Sequence, residues 1–245
     1  GGITVNHSAN VDVVSGVENF MGSDFTDTYT FWQDAGALGV LTIDGGYGDD
    51  TFDVKTGVTT TFSMLGNNGD DIVNIADTAT LGAFDGGVGT NNVHFTGTVG
   101  ATASDISNVY SIYADQQAGT FYVNLADGGV TTRASNIDHM TGGSGDDYVT
   151  YSSSLIAGDT VNLAGGSGDT LTLEATVNTV VLSNVENVIA TGGNDTLTLG
   201  APVSGVNINL MGGADTLNVA IGASALSISG VENIGGTGGG HALTF

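Results

Sequence analysis

A Gly-Gly-x-Gly-Asp-Asp turn recurs along this chain, each time followed by a short run of alternating apolar residues. It is written Gly45-Gly46-Tyr47-Gly48-Asp49-Asp50, Gly66-Asn67-Asn68-Gly69-Asp70-Asp71 and Gly142-Gly143-Ser144-Gly145-Asp146-Asp147. Looser copies end at Asp27, Asp169, Asp195 and Asp215, and a fading one ends at Asn91. A turn-plus-strand unit that returns every roughly 20–26 residues is the sequence form of a solenoid. One such unit cannot bury its own apolar face and must stack on its neighbours. The pattern predicts an all-β chain, a parallel β-helix or β-roll with two strands per coil and one row of glycine-Asp turns. Phe52, Ile72, Val93, Val149, Leu171, Leu197 and Leu217 are expected to point inward, with the intervening Thr, Asn and Asp outward.

The whole of 1–245 reads as one such solenoid. Acidic-turn blocks cover 22–95 and 142–217, and 96–141 reads as less regular coils rather than a linker. A second phrase, Ser183-Asn184-Val185-Glu186-Asn187-Val188, recurs as Ser15-Gly16-Val17-Glu18-Asn19-Phe20 and Ser229-Gly230-Val231-Glu232-Asn233-Ile234. It is expected to be a strand ending in a bend that delivers the chain to a glycine turn. Both ends, Ile3-Thr4-Val5 and His241-Ala242-Leu243-Thr244-Phe245, read as uncapped strands suited to head-to-tail stacking. The opening Gly1-Gly2, without Met, suggests a processed product or a fragment.

Charge decides how the turns are read. Two Lys+Arg against 26 Asp+Glu give a formal net charge of -24. Such a surface repels nucleic acid and anionic membranes, so neither is an expected partner, and no apolar run is long enough to span a bilayer. Apolar content of 40% argues for a folded chain, not a disordered one. Stacked carboxylates then need cations, and turns that combine free carbonyls with carboxylate read as calcium sites holding on the order of six ions. No cysteine is present, which removes disulfide and thiolate chemistry.

These turns resemble the RTX calcium-binding nonapeptide family, Gly-Gly-x-Gly-x-Asp-x-apolar-x. Gly45 to Asp53 and Gly142 to Thr150 match at every position, and Gly66 to Asn74 with Asn67 for the second Gly. The run from Val185 to Leu197 is similar to RTX-containing bacterial surface-layer and adhesin proteins. The resemblance implies type I export, folding outside the cell on meeting calcium, and ligand carboxylates at Asp50, Asp71, Asp147, Asp169, Asp195 and Asp215. Asp27 and the turn residues Gly45, Tyr47, Asp49, Gly66, Asn68, Asp70, Gly143, Ser144 and Asp146 complete the candidate metal set. Asn91 and His241 stand where an Asp is due, so those turns are expected to be weak.

Glu18, Glu186 and Glu232 read equally as further ligands or as solvated carboxylates beside an Asn ladder. His7, His94, His139 and His241 share no spacing and are expected at surface or strand positions. Trp32, Tyr29, Phe31, Tyr110, Tyr113, Phe121 and Tyr122 are read as core and ladder packing ahead of a sugar-binding face. No nucleophile elbow, metalloprotease helix or phosphate loop is present. Only Lys55 and Arg133 could neutralise a uronate, so a β-helix lyase or epimerase is the least favoured reading. The expectation is a non-enzymatic, secreted, calcium-binding subunit of a surface layer or filament, a homo-polymer joined through its solenoid ends. A calcium-folded module or spacer of a larger adhesin or enzyme is the alternative, and a cell-surface polysaccharide is a further candidate partner.

Overall fold

The structure is a computed structural model that describes residues 3–7, 10–14, 19–31, 41–56, 58, 62–115, 119–200, 205–220 and 226–237. Among these residues the chain is all strand without helix, built as a β-solenoid of parallel sheets. It divides into two compact units, Gly1–Ala126 and Asp127–Phe245.

In unit 1 one sheet runs β2 (Asn10–Val14), β1 (Ile3–His7), β4 (Asp27–Phe31), β6 (Thr51–Val54), β8 (Ile72–Ile75), β11 (Asn92–Phe95) and β13 (Ser111–Ala114). The facing sheet runs β3 (Asn19–Met21), β5 (Leu41–Asp44), β7 (Phe62–Leu65), β10 (Ala83–Asp85), β12 (Thr102–Ser107) and β14 (Tyr122–Leu125), with β9 (Thr80–Leu81) beside β12. The solenoid ladders are parallel. By contrast, β1 pairs antiparallel with both β2 and β4. The start of the chain is therefore not the bare parallel strand expected at Ile3-Thr4-Val5. A hairpin lies along β4 and occupies its hydrogen-bonding edge. Residues 241–245 lie outside the described residues.

In unit 2 the first sheet is β15 (Thr131–Ser135), β17 (Tyr148–Tyr151), β19 (Thr170–Leu173), β21 (Asn187–Ala190), β23 (Asn207–Asn209) and β25 (Ser227–Ser229). The second is β16 (His139–Thr141), β18 (Thr160–Asn162), β20 (Thr179–Ser183), β22 (Thr196–Leu199), β24 (Thr216–Ala220) and β26 (Asn233–Thr237). The irregular stretch 96–141 supplies strands to both units.

Alternation along each strand places every second side chain inside. Tyr29, Phe52, Val73, Val93 and Ile112 are register mates in one buried ladder of unit 1, and Ile43, Met64, Phe84 and Ile106 form the ladder opposite. Phe52 and Phe84 meet across the core with ring centroids 6.0 Å apart. In unit 2, Val149, Leu171, Val188 and Ile208 stack likewise, opposite Val180, Leu197 and Leu217.

One expectation fails. Ile72 pairs with Thr51 and is only half-buried, while Val73 takes the inward place beside Phe52. The turn fixes the phase: the residue after the second Asp faces outward whatever its hydropathy. Phe84→Ala should therefore destabilise the folded chain by about 3–5 kcal/mol, whereas Ile72→Thr should change it by less than about 1 kcal/mol. Denaturant midpoints of the two variants check this.

Candidate cation site at the stacked acidic turns

Each glycine turn of unit 1 carries the chain from the second sheet into the first, at residues 22–27, 45–50, 66–71 and 86–91. The turns stack by backbone hydrogen bonds, Gly48 N–H to Asn68 O at 2.9 Å and Gly69 N–H to Val88 O at 3.0 Å. Their second position has φ of +97° at Gly46, +68° at Asn67 and +74° at Gly87, which is why Asn is tolerated there and β-branched residues are not. A Cβ on Gly48 would lie 2.6 Å from the carbonyl carbon of Phe25 in the coil beneath.

The final Asp of each turn is buried, not splayed into solvent. Its Oδ1 accepts the backbone N–H of its counterpart one coil earlier. Asp27 N–H donates to Asp50 at 2.8 Å, Asp50 N–H to Asp71 at 2.8 Å, and Asp71 N–H to Asn91 at 2.8 Å. Asn91 closes the row without charge, since its amide also donates to Asn108 O at 3.2 Å. A buried N–H that would otherwise be orphaned is satisfied at every step.

The other carboxylate oxygen sorts the acids into two groups. Asp27 Oδ2 accepts from Ser23 N–H at 2.7 Å, Asp147 Oδ2 from Gly143 N–H at 3.0 Å, and Asp169 Oδ2 from Gly166 N–H at 3.2 Å. In contrast, Oδ2 of Asp50, Asp71, Asp195 and Asp215 is buried with no hydrogen-bond partner. The four fall into two pairs in adjacent coils, Asp50 with Asp71 and Asp195 with Asp215. Burial pushes the Asp50 carboxyl up to about 7, reinforced by Asp71, Asp27 and Asp49 and opposed by the Asp27 N–H. Burial raises Asp71 to about 6, with Asp49 and Asp70 adding to it. Asp195 is raised by burial and by Asp215, against its two bonds from Asn178.

At Asp50 and Asp71 the orphaned oxygen packs against the first-position glycine of its own turn, as the satisfied Oδ2 of Asp147 does against Gly142; no such contact is made at Gly192 or Gly212. The point a Cβ would take on Gly45 lies 2.3 Å from Asp50 Oδ2 and 3.2 Å from Gly66 O. On Gly66 that point lies 2.2 Å from Asp71 Oδ2 and 2.6 Å from Gly86 O. A carboxylate oxygen and a carbonyl of the next coil thus lie close together at Gly45 and at Gly66. Among the described residues no three His, Asp or Glu side chains converge on a point, so carbonyls would have to complete any cation shell.

Unit 2 departs from the single turn row. Turns 142–147 and 165–169 join β16 to β17 and β18 to β19, but turns 192–195 and 212–215 join β21 to β22 and β23 to β24, on the opposite edge. The second sequence phrase produces the switch. Its middle is a tight turn, with φ of +49° at Asn184 and +63° at Gly230, and the strand that feeds the glycine turn 192–195 starts after it, at Asn187. Its Glu replaces the Asp: Asp169 N–H donates to Glu186 at 3.0 Å and Asp215 N–H to Glu232 at 2.8 Å, each 17 residues on. Coils measured by these ladder bonds span 17 to 23 residues, shorter than the 20–26 expected. The 26-residue step from Asp169 to Asp195 (by subtraction) is a 17-residue coil plus nine residues to the far edge. Asn178 joins the far row, its Oδ1 accepting Leu155 N–H while its backbone N–H and side-chain amide donate to Asp195 Oδ1. Sequence reasoning passed over Asn178, and the spacing of 17 was the signal.

The remaining candidates line the turn surface. Asp49, Asp70 and Asp146 are exposed and accept N–H groups of Asp70, Thr90 and Ser167 in the next coil. Tyr47 and Asn68 pair as an isolated bridge, and Ser144 N–H donates to Asp127. Glu18 and Trp32 lie outside the described residues. His94, on the outward face of β11, sits between Asn74 Oδ1 at 3.1 Å and Asp115 Oδ1 at 2.7 Å, with Tyr113 stacked on its ring. Tyr29, Phe31 and Phe121 are core residues, while Tyr110 and Tyr122 are exposed. Comparison with protein-family models, curated proteins and solved structures finds no match to this chain.

The raised acids set a pH dependence. In the folded chain Asp50 and Asp71 hold protons up to about 7 and 6, whereas unfolded they release them near 3.8. The folded state therefore binds more protons across that interval, and stability falls as pH rises through it. With divalent cations removed, the chain should melt at a higher temperature at pH 5 than at pH 7.5, and Asp50→Asn should flatten the difference. Thermal melts followed by circular dichroism in chelator check both.

Proposed function

We propose that this chain is a calcium-binding structural protein of the cell exterior, its stacked turns stabilised by calcium. The observation that carries the proposal is the set of buried, unpartnered Oδ2 atoms on Asp50, Asp71, Asp195 and Asp215. A buried anionic oxygen without a partner costs several kcal/mol unless it is protonated or paired with a cation. The donors at hand are all oxygen, and at Gly45 and Gly66 a carboxylate oxygen lies close to a carbonyl of the next coil, which suits a hard ion such as calcium. Bound there, the ion would supply charge neutralisation and a crosslink between coils. Asp27, Asp147 and Asp169, whose oxygens are already satisfied, act as structural caps.

The resemblance to RTX proteins supports secretion and folding in the millimolar calcium outside bacteria. A non-catalytic role is supported by the engagement of both basic residues, Lys55 with Asp53 and Arg133 with both oxygens of Glu174. For assembly, the reading is a surface-layer or filament subunit that polymerises with copies of itself. The antiparallel hairpin on β4 favours the second reading, a calcium-folded module or spacer of a larger secreted protein.

Calcium titration from a chelated start should give a cooperative gain of β-sheet circular dichroism between about 0.1 and 1 mM, with no equivalent response to magnesium. Asp71→Asn and Asp215→Asn should each raise the midpoint roughly tenfold, and Asp147→Asn should raise it far less. A chain equally folded in chelator and indifferent to calcium overturns the proposal. Light scattering that grows with calcium supports the polymer, and a constant monomer supports the module.

A further inference from the structure

Unit 1 carries a cleft of roughly 310 Å³ away from the glycine turns, where the loops after β8, β11 and β13 meet the starts of β9, β12 and β14. Its walls include Thr78, Thr80, Thr102, Thr120, Val99 and Tyr122, and among the described residues no charged side chain lines it. The spacing is set by the sheet: Thr80, Thr102 and Tyr122 are register mates on neighbouring strands, about 4.8 Å apart. Tyr122 is 46% exposed and Val99 66%. The floor is backbone. Gly100, at φ +134°, approaches so closely that a Cβ there would lie 2.3 Å from Thr120 O. Asp77, outside the lining, holds the rim by accepting Val99 N–H at 2.7 Å.

We propose that this cleft binds an uncharged glycan, stacked on the Tyr122 ring and hydrogen-bonded to the threonine hydroxyls. Each hydroxyl can donate one bond and accept two, which matches a polyhydroxylated ligand. An exposed phenol ring offers a flat apolar surface with a polar tip. The volume is at the small end of ligand sites and suits one or two sugar rings. An anionic polymer is disfavoured by the charge of -24. A peptide adding as a strand would need free backbone N–H groups, and those of Thr78, Thr80, Thr102, Thr120 and Tyr122 already donate to Gly100, Val58, Ala79, Val99 and Ala101. The assignment does not rest on calcium.

Saturation-transfer NMR on the folded chain, with folding verified by circular dichroism, tests this against maltohexaose, cellohexaose, mannohexaose, chitotriose and anionic trigalacturonate. At least one uncharged saccharide should show transfer to its ring C–H protons, with dissociation constants of about 1 mM. Tyr122→Ala should weaken that binding roughly tenfold through loss of stacking. Thr102→Val, which keeps the shape and removes one hydroxyl, should weaken it by a smaller factor. No transfer from any uncharged saccharide at about 10 mM overturns the proposal, as does equal binding by Tyr122→Ala or tighter binding of trigalacturonate.

Discussion

The bond on which this architecture depends runs from a backbone N–H in one coil to a side-chain carboxylate or amide in the next. At the inner corner of each turn the chain is buried and its N–H points along the solenoid axis, where no strand partner reaches it. Asp, Asn or Glu supplies the acceptor from the following coil, as Asp71 does for Asp50 and Glu232 for Asp215. Bonds with an ionised acceptor are among the stronger ones, and burial makes leaving such an N–H unpaired expensive. Turn geometry, strand phase and coil length follow from the need to bring one acceptor under each N–H.

Using a carboxylate for this task brings a second oxygen into the interior. Where a turn has a spare N–H, as at Ser23, Gly143 and Gly166, that oxygen is satisfied by the protein itself. Where it has none, the oxygen is stranded, and burial drives Asp50 and Asp71 toward protonation. Asn91 and Asn178 show the neutral solution, an amide that accepts one N–H and donates onward. At Asp50, Asp71, Asp195 and Asp215 the chain uses acid where an amide would serve the ladder alone, and the proposed cation would account for that choice.

Much of this was legible in the sequence. The repeated turn and the alternation after it gave the solenoid, the inward Phe52, Val93, Val149, Leu171, Leu197 and Leu217, and the one-coil steps from Asp50 to Asp71 and from Asp195 to Asp215. Hydropathy misled at Ile72, because the phase is set by the turn and not by the side chain. The edge switch in unit 2 was hidden because a six-residue glycine turn and the short bend of Ser183-Asn184-Val185-Glu186-Asn187 perform the same corner, so period counting merged a coil and a half into one repeat. The split between satisfied and stranded carboxylates could not be read at all, since Asp71 and Asp147 sit in nearly identical motifs and differ only in which N–H groups face them.

Diffraction from crystals grown in millimolar calcium tests the central claim most directly. Metal density should stand about 2.3–2.6 Å from Oδ2 of Asp50, Asp71, Asp195 and Asp215, shared with carbonyl oxygens of the adjoining coil, and be absent beside Asp27, Asp147 and Asp169. Density at the satisfied carboxylates, or none at the four stranded ones, would contradict it and leave those acids as members of a purely structural ladder.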